Sequence, residues 1–323
     1  MKPEMVVLLG AQQINPTVGS RVTTLGIAGK LAIITAGWQE REPEDAELRA
    51  HLGGRVVNLR LHARGEDVFK HDRELASAHR ARQDALRIMQ DLYRLRLERA
   101  VDAERAVRAA HVPEAFREEA RLACVQSLRE LDAWHLSVCA RIRAEYDAES
   151  APSARMGLHL EELAATLEDC EAVAIAGGHV AVLVNRLFMF NLSTLIGRRP
   201  VFAWSGGAMA LTERVVLFHD SPPQGENDCE VLDHGLGLVP DLVVFPEPER
   251  RLHLDRHEHL NLMSERFQPA RCLALPGGAS VVWRDGRLQE PNGVVPLGPA
   301  GALTETLDPR DGHAPPPDGA RVA

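Results

Sequence analysis

Short apolar runs that end on glycine or a small polar residue recur along the chain: Met5 to Leu9, Leu31 to Thr35, Val56 to Leu61, Ala172 to Ala176, Val201 to Trp204 and Leu242 to Phe245. Their shortness, near-continuous apolarity and β-branched content suit strands covered on both faces, as in a parallel sheet. Pro43 to Leu52 and Leu158 to Asp169 carry helical spacing between such runs and supply crossovers. The alternation predicts a doubly wound α/β fold with a mostly parallel sheet. Near the C-terminus, Ser280 to Trp283 and Leu288-Gln289 flank Arg284-Asp285-Gly286-Arg287, which predicts a β-hairpin on an Asp-Gly turn.

Between the third and fourth runs the rhythm changes. Leu86, Met89, Leu92 and Leu95 recur at helical spacing, and Val125, Leu128, Leu131, His135, Val138, Ile142 and Tyr146 do so after a turn at His111-Val112-Pro113-Glu114. Two long amphipathic helices paired as an antiparallel hairpin would bury both stripes. Residues 63–154 contain 16 Arg+Lys against 17 Asp+Glu. Such a balance marks a solvated helix surface rather than a nucleic-acid grip. The pair packs either on its own sheet or on a second subunit, so a homodimer through the hairpin is one expectation. The reading divides the chain into an α/β domain of residues 1–62 and 155–297, a helical insertion at 63–154, and a loose Pro/Gly-rich tail at 298–323.

Composition narrows the function classes. The formal net charge of -9 argues against a surface for nucleic-acid phosphates or anionic lipid. Cys124, Cys139, Cys170, Cys229 and Cys272 are scattered without a CxxC pair, which points to a reducing compartment and away from structural zinc. The apolar run after Met1 is too short for a secretory signal, and no charge-free run is long enough to span a membrane, so a cytoplasmic protein is expected. No GxxxxGK[ST] and no GxGxxG occurs where a strand meets a helix, so no cofactor is expected. No metal is expected either: His257 and His259, in Arg256-His257-Glu258-His259, diverge on a helix and lack an obvious third ligand on a strand.

The densest chemical signal is Pro200-Val201-Phe202-Ala203-Trp204-Ser205-Gly206-Gly207-Ala208-Met209. An apolar strand runs into a serine, small residues follow, and a helical pattern begins. A nucleophile elbow needs this order, because the sharp turn that lifts the hydroxyl tolerates only small neighbours. The same order also describes a serine N-cap opening a helix after a strand.

Trp204-Ser205-Gly206-Gly207-Ala208 resembles the Trp-Ser-Ala-Gly-Ala elbow of the peptidase E and cyanophycinase family, serine hydrolases with a glutamine-amidotransferase-like sheet. Three further segments agree in order: Val6 to Gly10 with its first strand, Ala174-Ile175-Ala176-Gly177-Gly178-His179 with its Gly-Gly turn, and Gly235-Leu236-Gly237-Leu238-Val239-Pro240 with the stretch before its catalytic histidine. The helical pair and the tail lie outside the resemblance. It implies a serine-type hydrolase of small peptides or amides, with Ser205 as nucleophile and, as oxyanion hole, the Gly206 amide together with that of Gly178 or, alternatively, Gly177. Asp220 takes the place of the acidic partner; apart from the resemblance it reads as a turn aspartate before prolines. Peptides of aspartyl character would be implied, with Arg250, Arg251 and Arg256 available to pair with a carboxylate or simply solvated.

The base departs from the pattern. Where the family carries histidine, this chain has Pro246-Glu247. An ordinary carboxylate is a weak base for a serine hydroxyl, and proline is none. His219 and His253 are alternative bases from nearby segments. Two readings therefore stand: a hydrolase using Glu247 or a displaced histidine, and a catalytically inactive relative acting as a binding or assembly protein.

Overall fold

The computed structural model of the chain describes residues 2–14, 16–149, 153–218, 228–252 and 254–298. From the N-terminus, β1 (Val6–Leu9), α1 (Val18–Thr24), β2 (Lys30–Ile34), a tight 3-10 segment at Ala36–Arg41, α2 (Ala46–His51) and β3 (Val56–Asn58) begin an α/β layer. α3 (Leu61–His71) then leads into α4 (Arg73–Arg108) and α5 (Glu114–Glu149). After α6 (Ala154–Glu168) the layer resumes with β4 (Cys170–Ile175), α7 (Val180–Met189), α8 (Leu192–Ile196), β5 (Val201–Trp204) and α9 (Gly206–Leu211). β6 (Arg214–Leu217), β7 (Glu230–His234), β8 (Leu242–Pro246), α10 (Pro248–Arg251), α11 (His257–Phe267) and β9 (Arg271–Leu275) follow, then β10 (Ser280–Arg284), β11 (Arg287–Asn292) and β12 (Val295–Leu297).

The central sheet has seven strands in the order β11-β10-β1-β5-β4-β2-β3. From β1 to β3 every pairing is parallel, and β10 and β11 close the other edge as an antiparallel hairpin. Asp285 (φ 52°) and Gly286 (φ 75°) make its turn. Both faces are covered, which is why the strands read as unbroken apolar runs. Val6, Leu8, Ala32, Ile34, Val173 and Ile175 face one core. Val7, Leu9, Leu31, Ile33, Ala172 and Ala174 face the other, against Val18 and Val22 of α1 and Leu48 of α2.

Two strand expectations change. Leu242 to Phe245 is a strand, but it belongs to a separate three-stranded sheet, β12-β9-β8, rather than to the central one. Val56 to Leu61 stops being a strand at Asn58. There the side chain turns inward and donates to Thr35 Oγ1 (3.0 Å), the Glu42 carbonyl (3.1 Å) and Asp45 Oδ2 (2.9 Å). Arg60 takes a left-handed backbone (φ 51°), and Leu61 opens α3. The Glu42 carboxylate receives the His62 and Ala63 amides at the start of that helix. This buried polar knot anchors the loop that follows β2.

α4 and α5 form the expected antiparallel pair, yet α4 buries a different stripe. Tyr93, Leu97 and Val101 are inside, packed with Val125, Leu128 and Leu131, while Leu92 and Leu95 are 47% and 61% exposed. Leu86 and Met89 are only half-buried. A stripe built on strict three-residue steps slips back about 60° around the helix at each step and spirals off the buried face. Mixed steps of three and four, through Gln90, Tyr93, Leu97, Val101 and Glu104, stay on it.

The buried face docks on its own chain. Arg266 of α11, 3% exposed, donates to both oxygens of Asp132 (2.8 and 2.6 Å), to the Tyr93 hydroxyl (2.7 Å) and to the Cys229 carbonyl (2.7 Å). The Tyr93 hydroxyl donates to Asp132 (2.8 Å) and accepts from the Val231 amide (3.1 Å). Burial pushes the Tyr93 hydroxyl well above its ordinary value. Burial by itself would lower Arg266, but Tyr93 and Asp132 together hold its guanidinium above the usual range. Among the described residues, no helix is long and apolar enough to cross a membrane.

Candidate active site at the carboxyl edge of the sheet

β5 is buried along its whole length and ends at Trp204; the chain then bends at Ser205 and α9 starts at Gly206. Ser205 has φ 49° and ψ -126°, outside the basins open to an L-residue without strain. Its side chain does not cap α9. A capping serine has an extended backbone and spends its oxygen on the helix amides, so the plain N-cap alternative does not describe this residue. Among the described residues the Ser205 hydroxyl has no hydrogen-bond partner.

Three turns meet at this point because glycines let them. A Cβ on Gly177 would stand 2.7 Å from Ser205 Cβ and 3.0 Å from the Gly206 nitrogen. Gly178 has φ 109°, and a Cβ there would come within 2.5 Å of the Gly37 carbonyl oxygen. The His179 amide donates to that carbonyl (2.8 Å), tying the turn after β4 to the loop after β2. No described backbone carbonyl accepts from the Gly178 or Gly206 amide. Gly206 is the first residue of a helix, where the amide has no intrahelical partner. Gly178 and Gly206 thus belong to two turns that pack against each other beside the serine.

A cavity of about 930 Å³ opens over Ser205. It lies beyond the carboxyl ends of the parallel strands, the usual place for a ligand in an open α/β sheet. The loop after β2 contributes Trp38, Gln39 and Arg41, the turn after β4 contributes Gly178 and His179, and the segment after β8 contributes Glu247 and Arg251. Glu247 sits in the left-handed region (φ 56°, ψ 48°), with its carboxylate 3.6 Å from Arg251 Nε. Thus Ser205, Gly178, Gly206, Glu247 and Arg251 share one cleft. Arg250 is exposed on α10 and does not line it. Asp220, His219 and His253 lie outside the described residues.

Sequence reasoning passed over His179 and His51, which also line the cleft. His179 follows the Gly-Gly turn directly, and that adjacency was its available signal. Its Nδ1 accepts from the Val182 amide (3.4 Å), so a neutral ring carries its proton on Nε2. His51 comes from α2, far away in sequence, and nothing local pointed to it. His257 and His259 both belong to α11, and among the described residues no group of three or more His, Cys, Asp or Glu is arranged to hold a metal ion. All five cysteines are free thiols; burial pushes Cys139 and Cys272 each up to about 12, so neither supplies a thiolate.

No protein-family model matches the sequence, and no curated protein matches it either. Among solved structures, the chain is similar to a peptidase from an acI-B1 Actinobacterium, with 11% identity and a TM-score of 0.45 over 92% of this chain and 92% of that one. It is also similar to a putative peptidase E protein from Listeria monocytogenes EGD-e, with 14% identity and a TM-score of 0.29 over 43% of this chain and 66% of that one.

Proposed function

We propose that the chain is a serine-type hydrolase of small peptides or amides. The observation that carries this reading is the strained backbone of Ser205 at the carboxyl edge of the sheet, with a hydroxyl that caps nothing. A base removes the Ser205 proton, and the oxygen adds to the amide carbon. The negative charge that develops on the carbonyl oxygen is met by the Gly178 and Gly206 amides, which need no reorganisation to meet it. Collapse breaks the C–N bond, the amine leaves with the proton, and water releases the acyl group by the same route in reverse order. The base is drawn from Glu247, His219 and His253, with Asp220 as the orienting carboxylate. A cleft group such as Arg251 would pair with a substrate carboxylate.

The second reading is a catalytically inactive binding protein. It is favoured by the engagement of Glu247 with Arg251 and by the absence, among the described residues, of any hydrogen bond to the Ser205 hydroxyl. A fluorophosphonate probe separates the two. On the hydrolase reading the wild type labels covalently and Ser205→Ala does not. A folded wild type that remains unlabelled overturns it in favour of the binding protein.

A further inference from the structure

The helical pair does more than decorate the α/β layer. A second cavity of about 230 Å³ lies between α4, α5, α7 and β7, and shares Ala181 and Leu232 with the cleft over Ser205. Its wall on α7 is one helix face, Ala181, Val184, Asn185 and Phe188. This face starts beside the Gly177-Gly178 turn and runs away from it for about 10 Å, the length of roughly three residues of extended chain. The opposite wall is one face of α4, including Leu86 and Gln90. Without α4 and α5 this side of α7 would open to solvent.

We propose that this chamber is a subsite of the Ser205 cleft, taking a large apolar side chain of an extended peptide about three residues from the serine. The proposal rests on the hydrolase reading for its chemistry, though not for binding. The chamber is lined by carbon from Leu86, Val184, Phe188 and Leu232. Cys139 adds a neutral thiol. Arginines surround it, and three of them, Arg143, Arg94 and Arg87, already have carboxylate partners. Arg143 pairs with Asp233 (2.6 Å) and lies over the Phe188 ring (4.1 Å). Arg94 pairs with Glu230 (2.7 Å) and Asp91 (3.2 Å), Arg87 with Asp84 (2.9 Å), and Arg82 contacts the His79 ring (3.1 Å). Gln90 spends its amide on Glu230 (3.1 Å). A charged side chain would find these partners occupied, whereas an aromatic or long aliphatic one meets apolar walls and flat guanidinium faces.

The test is fluorescence anisotropy with labelled Ser/Gly hexapeptides in which Phe, Leu or Asp visits each position in turn, titrated against the Ser205→Ala protein. At one position Phe and Leu bind at least tenfold more tightly than Asp or Gly. Leu86→Trp, which fills the chamber from the α4 side, removes that preference, and Leu86→Ala, which widens it, extends the preference to Trp. If circular dichroism shows Leu86→Trp to be unfolded, the widening variant alone reads the subsite. The absence of any Phe-preferring position, a preference for Asp, or a Phe preference indifferent to both substitutions overturns the proposal. Fluorophosphonate labelling of the wild type reports separately on the hydrolase reading. An unlabelled protein that still prefers Phe keeps the chamber and loses the chemistry; a labelled protein without the preference does the opposite.

Discussion

The backbone at Ser205 stores strain, and a glycine there should release it. At φ 49° and ψ -126° the Cβ is held against its own backbone, a state that costs of order 1–3 kcal/mol for an L-residue. Ser205→Ala keeps the Cβ and the strain; Ser205→Gly removes both. Glycine also frees the unfolded chain, which forfeits about 0.4–1 kcal/mol relative to alanine. The hydroxyl caps nothing, so its loss weighs little in either variant. The difference leaves Ser205→Gly more stable than Ser205→Ala by about 0.5–2 kcal/mol. In a chain of this size that is a rise in Tm of roughly 1–3 °C. Urea denaturation and calorimetry on the two variants measure it, and both lack the nucleophile, so activity does not confound the comparison. Gln39 has the same backbone (φ 59°, ψ -126°) on the facing loop, and Gln39→Gly should show a similar gain. If the glycine variant is no more stable than the alanine one, the bend is not strained and the argument for a functional serine loses its physical basis.

Three further outcomes follow from the packing and charge. Asp132→Ala leaves the Arg266 guanidinium buried without its carboxylate, and should lower stability by about 3–5 kcal/mol; adding Arg266→Met should recover part of the loss in the same denaturation assay. On α4, Leu97→Ala should cost about 2–5 kcal/mol and Leu95→Ala less than about 0.5 kcal/mol, and equal costs would refute the assigned seam. Burial, with the charges of Arg82, Arg186 and Arg80, holds the His79 imidazole down to about 3 from an ordinary 6.5. The unfolded chain therefore takes up this proton first on acidification. Stability is complete above about pH 6.5 and falls towards pH 3 by at most about 1.4 kcal/mol per pH unit from this group; His79→Gln should flatten the slope over that window.

Local chemistry explains which features were legible in advance. Period and composition in Val6 to Leu9 or Val201 to Trp204 are enough to identify strands covered on both faces, because a run without polar positions has no side to turn to water. The Asp285-Gly286 hairpin and the glycines around Ser205 are likewise local, since a backbone that only small residues can adopt leaves its mark in the residues themselves. The failures are all questions of partnership. Leu92 and Leu95 looked like core because leucines at helical spacing usually are, but the neighbours of α4 select Tyr93 and Leu97. The strand at Leu242 to Phe245 was evident, yet its sheet was not, since hydrogen-bond partners come from β9 far along the chain. The cleft is the same kind of object. Ser205 and His179 follow β5 and β4, which end on one edge of the central sheet, whereas His51 comes from α2 and Glu247 from the end of β8 in a separate sheet; only the tertiary arrangement brings all four to one cavity. Side-chain periodicity is a property of a segment, whereas contact between segments is set by chain topology, and no pattern along one segment contains it.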